Sequence, residues 1–157
     1  LQLATELGAI SGDHVGHSSE AARQSASDSG VMQTFLPGTP YILGHNLETP
    51  LRQCIENNWP FSLATDFNPN CRTLSMPFVG SLATHRLGLS PIEALVAVTR
   101  NPATTLLNST PGQVAGSIRE GGPADLLLLD SQYIDAWCQM PGDNPIYRTI
   151  KSGDIVN

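Results

Sequence analysis

Apolar positions fall in short blocks separated by polar, glycine- or proline-bearing breaks. Val31-Met32-Gln33-Thr34-Phe35-Leu36 is a strand-length apolar run cut off by Pro37-Gly38, and Phe61-Ser62-Leu63-Ala64-Thr65 is a second that ends at Asp66. Ala9-Ile10-Ser11-Gly12-Asp13-His14 reads as a shorter strand with a polar end, after a helix over 1–7 that stops at Gly8. Between the strands lie helical patterns, one opened by Ser18-Ser19-Glu20 and closed by Ser29-Gly30, the other over 51–57 with Leu51, Cys54 and Ile55 on its buried side. Alternation of strand and helix predicts parallel strands, because parallel neighbours need a crossover long enough to return to the same edge.

Further along, a helix is predicted over 76–87. Another begins at Ser90-Pro91-Ile92-Glu93, where serine caps, proline takes the first turn and glutamate completes a capping box. A short helix over 102–107 runs into the breakers Asn108-Ser109-Thr110-Pro111-Gly112. After that the pattern turns to β. Leu126 to Leu129 reads as a core strand apolar on both faces, and Tyr147–Ile150 with Ile155-Val156 flank Ser152-Gly153-Asp154 as a hairpin would. A boundary is placed near Gly112, giving an α/β unit over 1–112 and a mostly β unit over 113–157.

The strand ends carry the candidate chemistry. Ligands of parallel α/β folds sit at the carboxyl ends of the strands. Asp66 at the tip of an apolar strand is costly to desolvate without a cation, a donor network or a substrate, which makes it the leading candidate. Asn68-Pro69 turns the chain and leaves an amide beside that acid. His14 ends a neighbouring strand, and a histidine with an aspartate on one face suits a metal site or an acid/base pair. A strand-end histidine is also commonly a hydrogen-bonded structural residue, and a strand-end aspartate a cap. His17, His45 and His85 have no comparable position and are read as ordinary structural or surface residues.

Composition narrows the picture. The 157 residues carry a formal charge of −6, with 40% apolar and 14% charged residues, which is a globular balance of about one domain's size. One lysine and scattered arginines give no basic stripe for phosphates, so nucleic acid is not an expected partner. No apolar run approaches the roughly 20 residues that span a bilayer, so no membrane partner is expected either. Cys54, Cys71 and Cys138 lack paired zinc or redox spacing, and a reducing cytoplasm is the expected setting. The start at Leu1, with helix and strand already under way, suggests a piece of something longer.

Ala64-Thr65-Asp66-Phe67-Asn68-Pro69, with Ser11-Gly12-Asp13-His14 before it and Asn101-Pro102-Ala103, Gly116-Ser117-Ile118 and Ala124-Asp125-Leu126 after it, resembles the C-terminal part of the imidazolonepropionase family of metal-dependent amidohydrolases. The last two elements are widespread in the superfamily, whereas the aspartate loop combined with the histidine strand is more specific. The resemblance implies an α/β fold: the C-terminal part of a (β/α)8 barrel, followed by strands of a small β-sandwich. It also implies hydrolysis of 4-imidazolone-5-propanoate to N-formimidoyl-L-glutamate, with one divalent metal ion, zinc or iron. By position in the motif, Asp66 would be a metal ligand and take the proton of the attacking water. His14 would act on the substrate carbonyl, and Asn68, Asn70 and Cys71 would bind substrate. Asn70-Cys71-Arg72 stands where the family commonly continues with glycine and serine or threonine.

The His-x-His pair, the middle-strand histidine and the propionate-holding arginine and tyrosine of that family have no counterpart in these residues. A barrel needs about 250 residues, and three strands are expected here. A C-terminal portion is therefore expected, from an enzyme that acts on a small molecule as a homodimer. Two rivals stand beside this reading: a superfamily member acting on a nucleobase or another cyclic amide, and a non-catalytic half-barrel module whose open strand edges serve association.

Overall fold

The computed structural model describes residues 1–47, 49–106 and 115–157. Its first sheet is parallel, with β1 (Ser11–Asp13), β2 (Met32–Phe35) and β3 (Phe61–Leu63) adjacent in chain order. Asp13 pairs with Thr34 and Phe35 with Leu63, so all three strands point their carboxyl ends the same way. Helix α1 (Gln2–Glu6) precedes β1. A 3-10 turn (Val15–His17) and α2 (Glu20–Asp28) carry the chain from β1 to β2, and α3 (Gly38–Ile42) and α4 (Leu51–Glu56) carry it on to β3. The Ser19 side chain caps α2 by accepting from the Ala22 N–H.

Burial orders the sheet. Every residue of β3 is buried and β1 is the open edge, which fits the continuous apolar reading of the later strands. Phe35 and Phe61 meet edge-on at 6.1 Å in the middle of the core. Thr34 and Ser62 join β2 to β3 by a hydroxyl–hydroxyl hydrogen bond of 2.9 Å.

Helices α5 (Met76–His85), α6 (Pro91–Val98) and α7 (Arg100–Ala103) follow β3. The capping box at Ser90 and Glu93 is present in both directions. Asn101 donates from its amide to the Phe61 carbonyl at 2.7 Å, tying the Asn-Pro-Ala element to the foot of β3. The short helix expected over 102–107 starts earlier and ends at Ala103, where Thr104 caps it; Leu107 and the boundary expected near Gly112 lie outside the described residues.

The second sheet is antiparallel: β4 (Leu126–Leu129), β5 (Ile146–Lys151) and β6 (Asp154–Ile155), in that order. Ser152 and Gly153 both have positive φ in the hairpin turn, as a two-residue connection favours. Asp125 holds that turn by accepting from the Ser152 N–H at 2.8 Å and pairing with the Lys151 ammonium. The Leu126–Leu129 core assignment needs correction. Leu127 is 55% and Leu128 45% exposed, because no second layer covers this three-stranded sheet among the described residues. Leu129, past a register shift in the pairing with β5, does pack against the main core.

Two helices escaped the pattern reading. Helix α3 contains Pro40, tolerated because first-turn N–H groups have no intrahelical partner. Helix α8 (Ala136–Gln139) brings Trp137 and Cys138 from the second half of the chain into the core. The Trp137 indole N–H donates to the Pro91 carbonyl at 3.0 Å, and the Ser81 hydroxyl donates to the Cys138 carbonyl at 2.6 Å. Gly80 on α5 makes room for this contact, since a Cβ there would lie 2.3 Å from the Trp137 ring. Gly80→Val should therefore destabilise the chain by about 2 kcal/mol, because a rigid indole cannot yield; a lower midpoint in urea unfolding checks this.

Cys54 is fully buried, and burial pushes its thiol from near 9 up to about 11, against a partial opposing effect of the Arg23 charge. Between those values the unfolded chain holds fewer protons than the folded one. Stability should then fall as pH rises through this window, and the fall should be shallower in Cys54→Ala. Urea unfolding of both proteins across that pH range measures it.

Candidate active site

The carboxyl ends of β1 and β3 bring His14 and Asp66 together. His14 follows β1 directly and Asp66 follows β3 after Ala64-Thr65. Both adopt the left-handed backbone region, each at φ 56°. Histidine and aspartate tolerate that region better than most residues, yet it remains a strained conformation held by its surroundings. There the His14 Nε2 stands 3.6 Å from the Asp66 Oδ1, within ion-pair range and beyond a normal hydrogen bond. The acid is the sheltered partner, with 15% side-chain exposure against 64% for the imidazole.

The loop after Asp66 explains how its conformation is kept. Asn68 donates from its amide to the Thr39 hydroxyl at 2.9 Å and to the Asp66 carbonyl at 2.7 Å. Its amide oxygen accepts from the Asn70 N–H at 2.8 Å and the Cys71 N–H at 3.3 Å, while Asn68 and Cys71 also exchange backbone hydrogen bonds. Pro69 supplies the preset φ that such a turn favours at its second position. Cys71 is fully buried with its thiol against the Thr65 carbonyl at 3.6 Å. The loop seats on Gly38, where a Cβ would come within 2.8 Å of the Thr65 oxygen and 3.0 Å of the Cys71 sulfur. The structure thus gathers Asp66, Asn68, Asn70 and Cys71 in one loop, with His14 across from it. In this loop the Asn68 side chain and the Asn70 and Cys71 N–H groups are engaged with one another.

Two histidines without a distinctive sequence position come close to this region. His17 and His45 line, with His14, Phe35 and Pro40, a concavity of about 350 Å³ over the end of β2. The spacing of His17 from His14 across the 3-10 turn is the one hint the sequence offers, and nothing local marks His45. His85 ends α5 and does not line this concavity. A divalent ion would need three or four ligands. A carboxylate and an imidazole are suitable donor types, but among the described residues no group of three or more His, Cys, Asp or Glu side chains could hold an ion. The described residues do not make a metal site by themselves.

Parallel α/β folds place their sites at the carboxyl ends of the strands, which is where this acid and this histidine meet. The chain belongs to the amidohydrolase family, whose pattern matches residues 14–156. It is similar to imidazolonepropionases: 37% identical to that of Haloarcula marismortui over 99% of this chain and 36% of that protein, and 36% identical to that of Geobacillus thermodenitrificans with the same coverage. The chain thus spans little more than a third of the length of these curated relatives. The fold is shared with a solved adenosine deaminase from Xanthomonas campestris with bound zinc (TM-score 0.78, 18% identity, 96% of this chain and 38% of that one). It is shared also with Escherichia coli guanine deaminase (TM-score 0.74, 22% identity, 94% and 38%). No helix of the described residues is long and apolar enough to cross a membrane.

The left-handed backbone at Asp66 has a measurable consequence. Asp66→Gly should be more stable than Asp66→Ala by about 1 kcal/mol, because both remove the carboxylate but alanine alone suffers at positive φ. Chemical unfolding of the two variants side by side checks the difference.

Proposed function

We propose that the chain is the C-terminal portion of an imidazolonepropionase, with 1–112 forming the last part of the (β/α)8 barrel and 113–157 strands of a small β-sandwich. The observation that carries this reading is the meeting of His14 and Asp66 at 3.6 Å from the ends of two non-adjacent parallel strands. Similarity to enzymes of that name over nearly the whole chain supports the substrate. The complete enzyme works as a soluble homodimer in the cytoplasm and holds one zinc or iron ion. Asp66 supplies one ligand to it, and residues outside this chain supply the others.

The reaction is hydrolysis of the ring amide of 4-imidazolone-5-propanoate. Water oxygen bonds to the carbonyl carbon, the bond from that carbon to the ring nitrogen breaks, and the product is N-formimidoyl-L-glutamate. Asp66 receives the proton that the attacking water loses, and that proton goes on to the departing nitrogen. His14, exposed toward the concavity, donates to the carbonyl oxygen as negative charge gathers there. Asn68 holds the loop that fixes Asp66 and, with the exposed Asn70, forms the substrate-facing rim, with the buried Cys71 packed beneath it.

In the complete enzyme, Asp66→Asn should lose both bound metal and turnover, while His14→Ala should lose turnover by about a hundredfold or more with little loss of metal. Metal analysis together with ultraviolet loss of imidazolonepropanoate reads both. Full metal content in Asp66→Asn, or ammonia release from a nucleobase in place of ring opening, would overturn the reading.

A further inference from the structure

Apart from the His14–Asp66 pair, the group most poorly matched to its surroundings is a guanidinium. Arg23 on α2 is 7% exposed. Its Nη1 donates to the Ser18 carbonyl and its Nη2 to the Gln53 side-chain oxygen at 2.8 Å, both neutral acceptors. Its Nε is buried with no hydrogen-bond partner. Among the described residues the ion pairs are His14–Asp66, Arg52–Glu93 and Lys151–Asp125, and none includes Arg23. A guanidinium keeps its charge in a protein interior, and among the described residues no carboxylate pairs with this one. Neutral acceptors compensate such a charge only in part.

Arg23 also lines an open surface concavity of about 370 Å³, together with Gly16, His17, Ser18, Thr49 and Pro50. Its lining among the described residues combines an arginine, a histidine, a serine and a threonine, with no carboxylate among them. Guanidinium and hydroxyl donors are the groups that recognise oxyanions, through charge-assisted hydrogen bonds.

We propose that this concavity is a binding site for a small oxyanion, a carboxylate or phosphate group, with Arg23 as its fixed cation and His17, Ser18 and Thr49 as further donors. The site lies between the 3-10 turn after β1 and the segment leading into α4, so its occupant would brace α2 against α4. It does not depend on the catalytic reading above. A guanidinium that only ties α2 to α4 predicts no saturable anion binding at all.

The test is titration of the isotope-labelled 157-residue chain with inorganic phosphate and, separately, with propanoate, at ionic strength held constant by sodium chloride. The readouts are the Arg23 Nε–Hε resonance and the backbone resonances of His17, Ser18 and Thr49. Saturable shifts are expected with at least one anion. Affinity should fall about tenfold or more in Arg23→Gln and by less in Arg23→Lys, which keeps the charge but not the planar fork. Saturation by phosphate assigns a phosphate ligand, and saturation by propanoate alone assigns a carboxylate. Shifts that stay linear and match those of chloride in the wild-type chain, or equal affinity in any folded Arg23 variant, would overturn the proposal.

Discussion

The candidate site depends on two residues being held in left-handed backbone at the ends of strands that do not touch. Strands β1 and β3 are separated by β2, so their axes lie roughly 10 Å apart. Side chains leaving straight off the strand tips would not meet across that gap. The reversal at His14 and at Asp66 turns both inward over the end of β2, and the 3.6 Å contact follows. Neither conformation is intrinsically favoured, so each must be imposed by what surrounds it.

For Asp66 the imposing structure is visible in full. The Asn68 amide closes on the Asp66 carbonyl behind it and the Asn70 and Cys71 N–H groups ahead of it, and its bond to Thr39 anchors the loop to α3. The glycine at 38 lets the loop lie against the helix start, with the buried Cys71 sulfur filling the contact. A short polar loop can therefore hold a carboxylate steady without a large apolar core beneath it. The second sheet contributes through another route: Trp137 on α8 fills the space left by Gly80 and ties the later chain to α5 and α6.

Much of this was legible in the sequence because the signals were local. Capping at Ser19 and Ser90, strand-length apolar runs and the Ser152-Gly153 turn each state their own structure. Asp66 could be singled out because an acid ending an apolar strand breaks the expected pattern. What escaped depends on distant partners. Helix α3 was hidden behind Pro37-Gly38, which read as the end of a strand although Pro37 sits at the N-cap, where a helix start accepts it. The tetraleucine strand read as core because its composition is apolar, yet burial requires a covering layer, and composition cannot supply one. His17 and His45 reach the concavity beside His14 through chain reversals that no periodicity announces.

The central claim is that His14 and Asp66 act as one unit, and a double-mutant cycle on kcat/KM for the proposed hydrolysis by the complete enzyme tests it most directly. If the two side chains handle successive positions of the same proton and charge movement, the His14→Ala, Asp66→Asn double variant should be no slower than the worse single variant. Losses that multiply across the cycle would show two independent residues and contradict the claim.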